Sequence, residues 1–441
     1  ELLIIAAGVY TLRITGLRVL VSDRALAAVT VLFVVASLIS LAASEDTMLG
    51  FVLFMRLFAI TFLAFLVLPH VQLRNPTSWA PAAVFEVLFV IQIVVSLSKL
   101  ALRGPSESII GTISLRAGEL SVTYPLIILA LILPLFRRSS SQIATVYVVI
   151  ILISTFVMAI AGDKRAYIFV FFMILFAYTL LSFKDFNTKS RSSLRNFVLT
   201  AVLLILVGGT LSVIVVKFSP SLNPEQSRWG TFSPGYVNEY VRGYVFRESS
   251  VDYWTSKTVD PESGEAAPDS IPLGRFATFN SHLQLMANDE KLFFGYGPGV
   301  ATLSSFRHTI QDVRRRFDFG WTLTGLNTLL LQVGFVGAIG FVGLFGIVGW
   351  RGIRLSRNSN SALSLLGISV SLIVAVVMFD LFAYGITTIG SGIIFPVFAY
   401  FVVSALKGRT CDVPFIRWMN MPGENIRQKM TAGYIRPFVA K

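Results

Sequence analysis

Gly325-Leu326-Asn327-Thr328-Leu329-Leu330-Leu331-Gln332-Val333-Gly334-Phe335-Val336-Gly337 opens an apolar run that continues to Val348, and the architecture turns on how this stretch is read. At 1.5 Å per residue, Gly325–Val348 is long enough to cross a hydrocarbon core of about 30 Å. Glycine recurs at 334, 337, 340, 343, 346 and 349, a three-residue spacing that lays small residues along a ridge and lets a neighbouring helix approach closely. Upstream lies Gly295-Tyr296-Gly297-Pro298-Gly299, whose composition forces a turn. Before that, Gly274-Arg275 opens an extramembrane helix running to Asn288. Phe276, Phe279, Leu283 and Met286 recur there at helical spacing, which predicts a packing face and leaves Arg275, Thr278 and His282 on a face that meets a ligand.

The rest of the chain reads as the lipid-embedded frame around this stretch. With 441 residues, 54% hydrophobic and only 14% charged, it is not a soluble multidomain protein. Ten full spans follow from the apolar runs: Ala25–Ala43, Gly50–Leu68, Pro81–Ser98, Val122–Phe136, Ile143–Ala161, Ala166–Phe183, Phe197–Val216, Gly325–Val348, Leu363–Phe382 and Thr388–Leu406. The chain opens on Glu1, and Leu2–Tyr10 reads as the end of an earlier span whose start lies upstream. The expected fold is therefore an all-α polytopic membrane protein of ten to twelve transmembrane helices. Residues 1–217 form N-terminal transmembrane helices, 218–324 a large outer loop with short helices, 325–406 C-terminal transmembrane helices, and 407–441 a basic interfacial tail.

Orientation follows from the short loops. Twenty Lys and Arg fall on one side, among them Arg13, Arg18, Arg24, Arg351, Arg354 and Arg357; the other side has only Lys99, Arg103, Arg116, Lys164 and Arg165. The first side is expected to be cytoplasmic, with the C-terminus, which puts the 218–324 loop outside, in the periplasm or its equivalent. Between 218 and 322 ten Lys and Arg face twelve Asp and Glu, so the formal charge of +13 belongs to the membrane frame. It reports topology and attraction to anionic lipid, and gives no reason to expect a nucleic-acid partner. The single Cys411 excludes an internal disulfide and a cysteine-based metal site. No phosphate-binding Gly loop, dinucleotide fingerprint or paired-histidine motif occurs, so no cofactor and no metal are expected.

Charged residues mark the candidate surfaces. Arg56 and Glu86 each lie in a span, but they differ in depth by roughly 10 Å at 1.5 Å per residue and do not pair. Lys164 and Arg165 occupy a very short outer turn, where they either anchor headgroups or hold a diphosphate. In the loop, Tyr236–Trp254 interleaves Tyr236, Tyr240, Tyr244 and Phe246 with Arg242 and Arg247, which suits saccharide stacking beside anionic groups as well as an interfacial aromatic belt. Further on, His308 and Asp312 stand four apart beside Arg314-Arg315-Arg316, of which one or two can point into a site. Asp380 and Tyr384 stand near the outer end of their span, at the border of an outer cavity or solvated as helix-end residues.

Taken together, these features resemble the O-antigen ligase and O-antigen polymerase superfamily of membrane glycosyltransferases. The resemblance rests on Arg165-Ala166 opening a span before the large loop and Gly274-Arg275 opening a loop helix. It also rests on the Gly295–Gly299 turn, and on Asn327, Leu331-Gln332, Gly334 and Gly337 in the next span. It implies a C-type glycosyltransferase-like fold in a bacterial inner membrane and a polyprenyl diphosphate-linked glycan as partner, with other polysaccharide assembly proteins and membrane lipids around it. Where the ligases carry a functional histidine this chain has Leu326, which shifts the expectation from ligase to polymerase.

The expected chemistry is a metal-independent, inverting transfer on the outer face. An acceptor sugar hydroxyl attacks the anomeric carbon and the diphosphate leaves, its growing charge met by fixed guanidinium groups. Arg275 and Arg165 are the first choices for that role. His282, Glu239 and His308 are candidate bases, and Arg242, Arg247, Tyr240, Arg314, Arg315, Asn327 and Lys164 candidate substrate-binding residues. A ligase acting on a lipid acceptor, a transporter of an anionic lipid or solute, and a scaffold for polysaccharide assembly are the competing readings.

Overall fold

The computed structural model describes residues 24–42, 79–103, 126–131, 165–183, 212–219, 234–246, 275–298, 324–358 and 361–383, most of 222–233, residue 300, and short pieces elsewhere between 13 and 210. Seven helices are complete there: α1 (Arg24–Ala42), α2 (Trp79–Arg103), α3 (Arg165–Phe183), α4 (Pro234–Phe246), α5 (Arg275–Asn288), α6 (Gly325–Ser356) and α7 (Ser361–Ala383). Among the described residues there is no strand. α1, α6 and the Leu363–Ala383 part of α7 are long and apolar enough to cross a membrane, and shorter apolar stretches lie in α2 (Val87–Leu102) and α3 (Val170–Leu181). In lipid every backbone polar group must be satisfied within the segment, so runs this apolar fold as helices. The described part of the chain is an all-helical membrane protein. The expected spans Gly50–Leu68 and Thr388–Leu406, apart from Phe51 and Val52, lie outside the described residues, as do most of Ile143–Ala161, half of Phe197–Val216 and parts of Val122–Phe136.

α6 is the central element, packed against both α1 and α7, and α3 packs against α7. A Cβ added at Gly337 would lie 3.6 Å from the Ala36 Cβ, one at Gly340 2.9 Å from Phe33, and one at Gly343 3.2 Å from Val29. Rising numbers on α6 thus meet falling numbers on α1, and the two helices are antiparallel. Beyond them the same ridge turns to α7: Gly349 faces Val374 at 3.1 Å and Gly352 faces Ser371 at 2.8 Å. Glycine works here because lipid tails are as apolar as Leu, so helices associate through close backbone approach and dispersion rather than by escaping water. Phe33, Phe341 and Phe345 fill the seam, with ring centroids 5.9 Å and 5.5 Å apart along the row.

Antiparallel packing also gathers charge. Arg24 begins α1, and Arg351, Arg354 and Arg357 stand at the end of α6, so all four belong to one end of the bundle. The other end carries the α5 segment and the turn that follows it.

Helix ends are set by local chemistry. Thr324 caps α6: its Oγ1 accepts the Asn327 amide at 3.2 Å, and its carbonyl accepts the Thr328 amide at 2.9 Å. Ser233 does the same for α4 ahead of Pro234, which suits a first helical turn because its missing N–H has no intrahelical partner there. Thr324→Ala is expected to cost about 1 kcal/mol, with Thr324→Ser near wild type; thermal unfolding in detergent reads the difference, and equal melting of all three would dismiss the cap.

Candidate functional site

The run Gly325–Ser356 is not one straight helix. Gly334 has φ 66° and ψ −172°, which no helix contains, and there the backbone ladder breaks. The segment 292–297 docks into the break. The amides of Tyr296 and Gly297 donate to the carbonyls of Leu331 (2.8 Å) and Gln332 (3.1 Å), and the amides of Phe335 and Val336 donate to the carbonyls of Leu292 (3.0 Å) and Phe293 (3.1 Å). Ser40 of α1 adds a third element by donating its hydroxyl to the Gln332 carbonyl. These four carbonyls and amides freed by the break thus find partners in the turn, as buried backbone groups require.

Glycine is demanded at this joint. A Cβ on Gly334 would fall onto the Phe293 carbonyl, and one on Gly297 onto Ser44. Gly295 (φ 70°) and Gly297 (φ 111°) occupy left-handed backbone that side chains rarely adopt. Gly334 was expected to be part of the packing ridge; it is instead the break, because Phe293 occupies the space a continuous helix would need. The Gly295–Gly297 turn and Gly334, far apart in sequence, are two halves of one joint.

The joint also fixes α5. After Asn288 the chain stops in a Schellman arrangement: Glu290 takes φ 58°, its amide donates to the Ala287 carbonyl at 3.2 Å, and the Lys291 amide reaches the Met286 carbonyl at 2.8 Å. The Tyr296 hydroxyl donates back to Asp289 at 2.7 Å. α5 itself packs against α4 and α6. Because Ser40 and Ser44 stand beside Gln332 and Gly297, the break is level with the last turn of α1. Residues 325–333 therefore project about 14 Å past it, while Phe335–Ser356, about 33 Å long, matches a hydrocarbon core. The sequence reading placed a span at Gly325–Val348; the apolar helix runs on to Ser356, with its break at Gly334.

α5 presents its faces differently from expectation. Thr278, His282 and Met286, four residues apart, form its buried stripe, and Phe276 is 58% exposed. Phe279 and Leu283 are only partly buried, at the flank of that stripe. α5 packs against α4 and α6, and the polar Thr278 and His282 lie on its buried side, away from water. Arg275 is half-buried at the first position of α5, and Arg165 is the first residue of α3. On α4, Glu239 and Arg242 are exposed, three residues apart, with Tyr240 half-buried between them. Asp380, read above as bordering a cavity or solvated, is 1% exposed inside α7. Lys164, Arg247, His308, Arg314, Arg315, Arg316, Arg56, Tyr384 and the side chains of Arg165 and Glu86 lie outside the described residues. Among the described residues no group of three or more His, Cys, Asp or Glu gathers to hold a metal ion.

Asn327 stands apart from these. It is 1% exposed in the projecting turn of α6, and both polar atoms of its carboxamide, Oδ1 and Nδ2, lack a hydrogen-bond partner. An unsatisfied buried amide costs roughly 1–3 kcal/mol, so the position is held against stability. Its polarity was legible in the sequence, but its burial was not.

A second built loop precedes α4. The fully buried Asn223 donates through Nδ2 to the carbonyls of Lys217 (3.2 Å), Ser219 (2.8 Å) and Ser227 (2.6 Å). Glu225 then accepts the Thr231 amide at 2.8 Å together with the Thr231 hydroxyl, and these bonds hold its carboxyl below the usual range. Since the folded value is lowered, the clasp is present above the ordinary carboxylate pKa and is lost as pH falls through the lowered one. Trp229 lies 3.7 Å from Phe218 in the same loop. A step in tryptophan emission on acidification is expected in the wild type and not in Glu225→Gln; identical titrations would refute the clasp.

The sequence matches no protein-family model, and no curated protein resembles it at a significant level.

Proposed function

We propose that the chain is a membrane glycosyltransferase that extends a polysaccharide on the outer face of a bacterial inner membrane. It moves a glycan from a polyprenyl diphosphate carrier to an acceptor sugar hydroxyl, with inversion and without a metal. The full fold is taken as ten to twelve spans of C-type glycosyltransferase-like arrangement, with the 218–324 loop in the periplasm and the C-terminus in the cytoplasm. The observation that carries this is the placement of Arg275. It is the first residue of a helix whose other end is locked, through the Gly295–Gly297 turn, into the break of α6. A helix start offers free N–H groups and a partial positive charge, and a guanidinium fixed there adds a planar donor fork, a pairing suited to a departing diphosphate. Arg165 begins α3 in the same manner.

Such a leaving group needs charge stabilisation set in place before the reaction, and the joint supplies rigidity rather than chemistry. Transfer is therefore expected to persist in excess EDTA; loss of activity restored by a divalent cation would overturn the metal-independent form. The broken α6 gives the transporter alternative its one specific support, since broken helices coordinate ions in that class. At this break, however, the carbonyls of Leu331 and Gln332 and the amides of Phe335 and Val336 are already bonded to the turn or to Ser40, which leaves them to hold structure. Proteoliposomes that extend glycan without net solute uptake fit the transferase; uptake with unchanged glycan length fits the transporter.

A further inference from the structure

We propose that Asn327 is a receptor for sugar hydroxyls, and that it reads the glycan while the arginines hold the diphosphate. The inference rests on glycan transfer as the activity of this site. Three observations converge on it. Asn327 is nine-tenths buried or more, yet neither Oδ1 nor Nδ2 has a partner. Its neighbours Leu326, Leu329, Leu330 and Leu331 show that apolar side chains suit this turn of α6, so packing does not explain an amide there. Nor does capping: the Thr324 hydroxyl already takes the Asn327 backbone amide, and the Thr324 carbonyl takes the Thr328 amide and hydroxyl, all without the Asn327 side chain.

The chemistry of the carboxamide selects the ligand. It presents an acceptor and a two-proton donor side by side. A phosphate only accepts and would face Oδ1 with like charge; an ammonium only donates and would strand Nδ2. A hydroxyl does both, and two adjacent hydroxyls on a pyranose satisfy the pair together. Asn327 also stands in the stretch that projects past the end of α1, on the helix against which α5 packs. A buried polar group that a ligand must satisfy gives strong discrimination, because an analogue lacking the hydroxyl leaves it unpaired.

The test uses the full chain in nanodiscs, with thermal unfolding followed against a panel of methyl hexopyranosides. At least one glycoside is expected to raise the melting temperature of the wild type and of Arg275→Ala. Asn327→Leu is expected to melt higher than wild type without sugar and to lose the glycoside response, with apparent affinity down about tenfold. Asn327→Met repeats the comparison should the Leu variant not fold. In the transfer assay these variants should raise KM more than they lower kcat. No glycoside shift in the wild type, or an unchanged shift in Asn327→Leu, would mean that the amide meets only a buried water. Either result overturns the inference while leaving the diphosphate reading to the Arg275 variants; normal extension by Arg275→Ala would instead remove the transferase reading itself.

Discussion

Arg275→Ala is expected to abolish glycan chain extension, a loss of at least about 10²-fold in turnover, with protein level and melting temperature close to wild type. The side chain is half-buried at a helix start, and on the proposed mechanism its removal takes the fixed counter-charge from the transition state. Arg275→Lys keeps the charge but not the planar fork, and should recover only part of the activity. Chain length resolved on gels of membrane extracts reads all three proteins. Normal extension in Arg275→Ala would remove the guanidinium from the mechanism; full activity in Arg275→Lys would point to a scaffold that needs only positive charge.

The largest structural effect is expected at Gly334. Gly334→Ala must place a Cβ on the Phe293 carbonyl while holding φ at 66°. Positive φ with ψ near 180° is almost confined to glycine and costs another residue roughly 1–3 kcal/mol, and displacing the turn adds the loss of its four backbone bonds to α6, for a total of about 3 kcal/mol or more. Folded yield and melting temperature in detergent should both fall. Gly346→Ala is the control, since nothing lies within 4 Å of its added Cβ, and it should behave as wild type. Equal melting of the two variants would show that the turn does not depend on the break.

Much of the architecture was legible because hydropathy and length suffice for it. Ala25–Ala43, Ala166–Phe183 and Leu363–Phe382 were read to within a residue or two of α1, α3 and α7, and Arg275–Asn288 was read to the residue. The break at Gly334 was not, because a glycine in an apolar run carries the same local signal whether it packs against a neighbour or leaves the helix. Only the arrival of Phe293, forty-one positions earlier in the chain, decides between the two. The faces of α5 were misread for a related reason. Periodicity finds an apolar stripe and assigns it inward, but Thr278 and His282 are the buried residues and Phe276 is exposed. Asn327 shows the limit most plainly: its residue type named it a candidate, and only burial without partners separates it from an ordinary polar residue at a helix start.

Electron cryomicroscopy of the full chain with a polyprenyl diphosphate in lipid nanodiscs reaches the central claim most directly. The account predicts diphosphate density held between the guanidinium groups of Arg275 and Arg165, beside the projecting end of α6. A diphosphate bound elsewhere, or touching neither arginine, would contradict it.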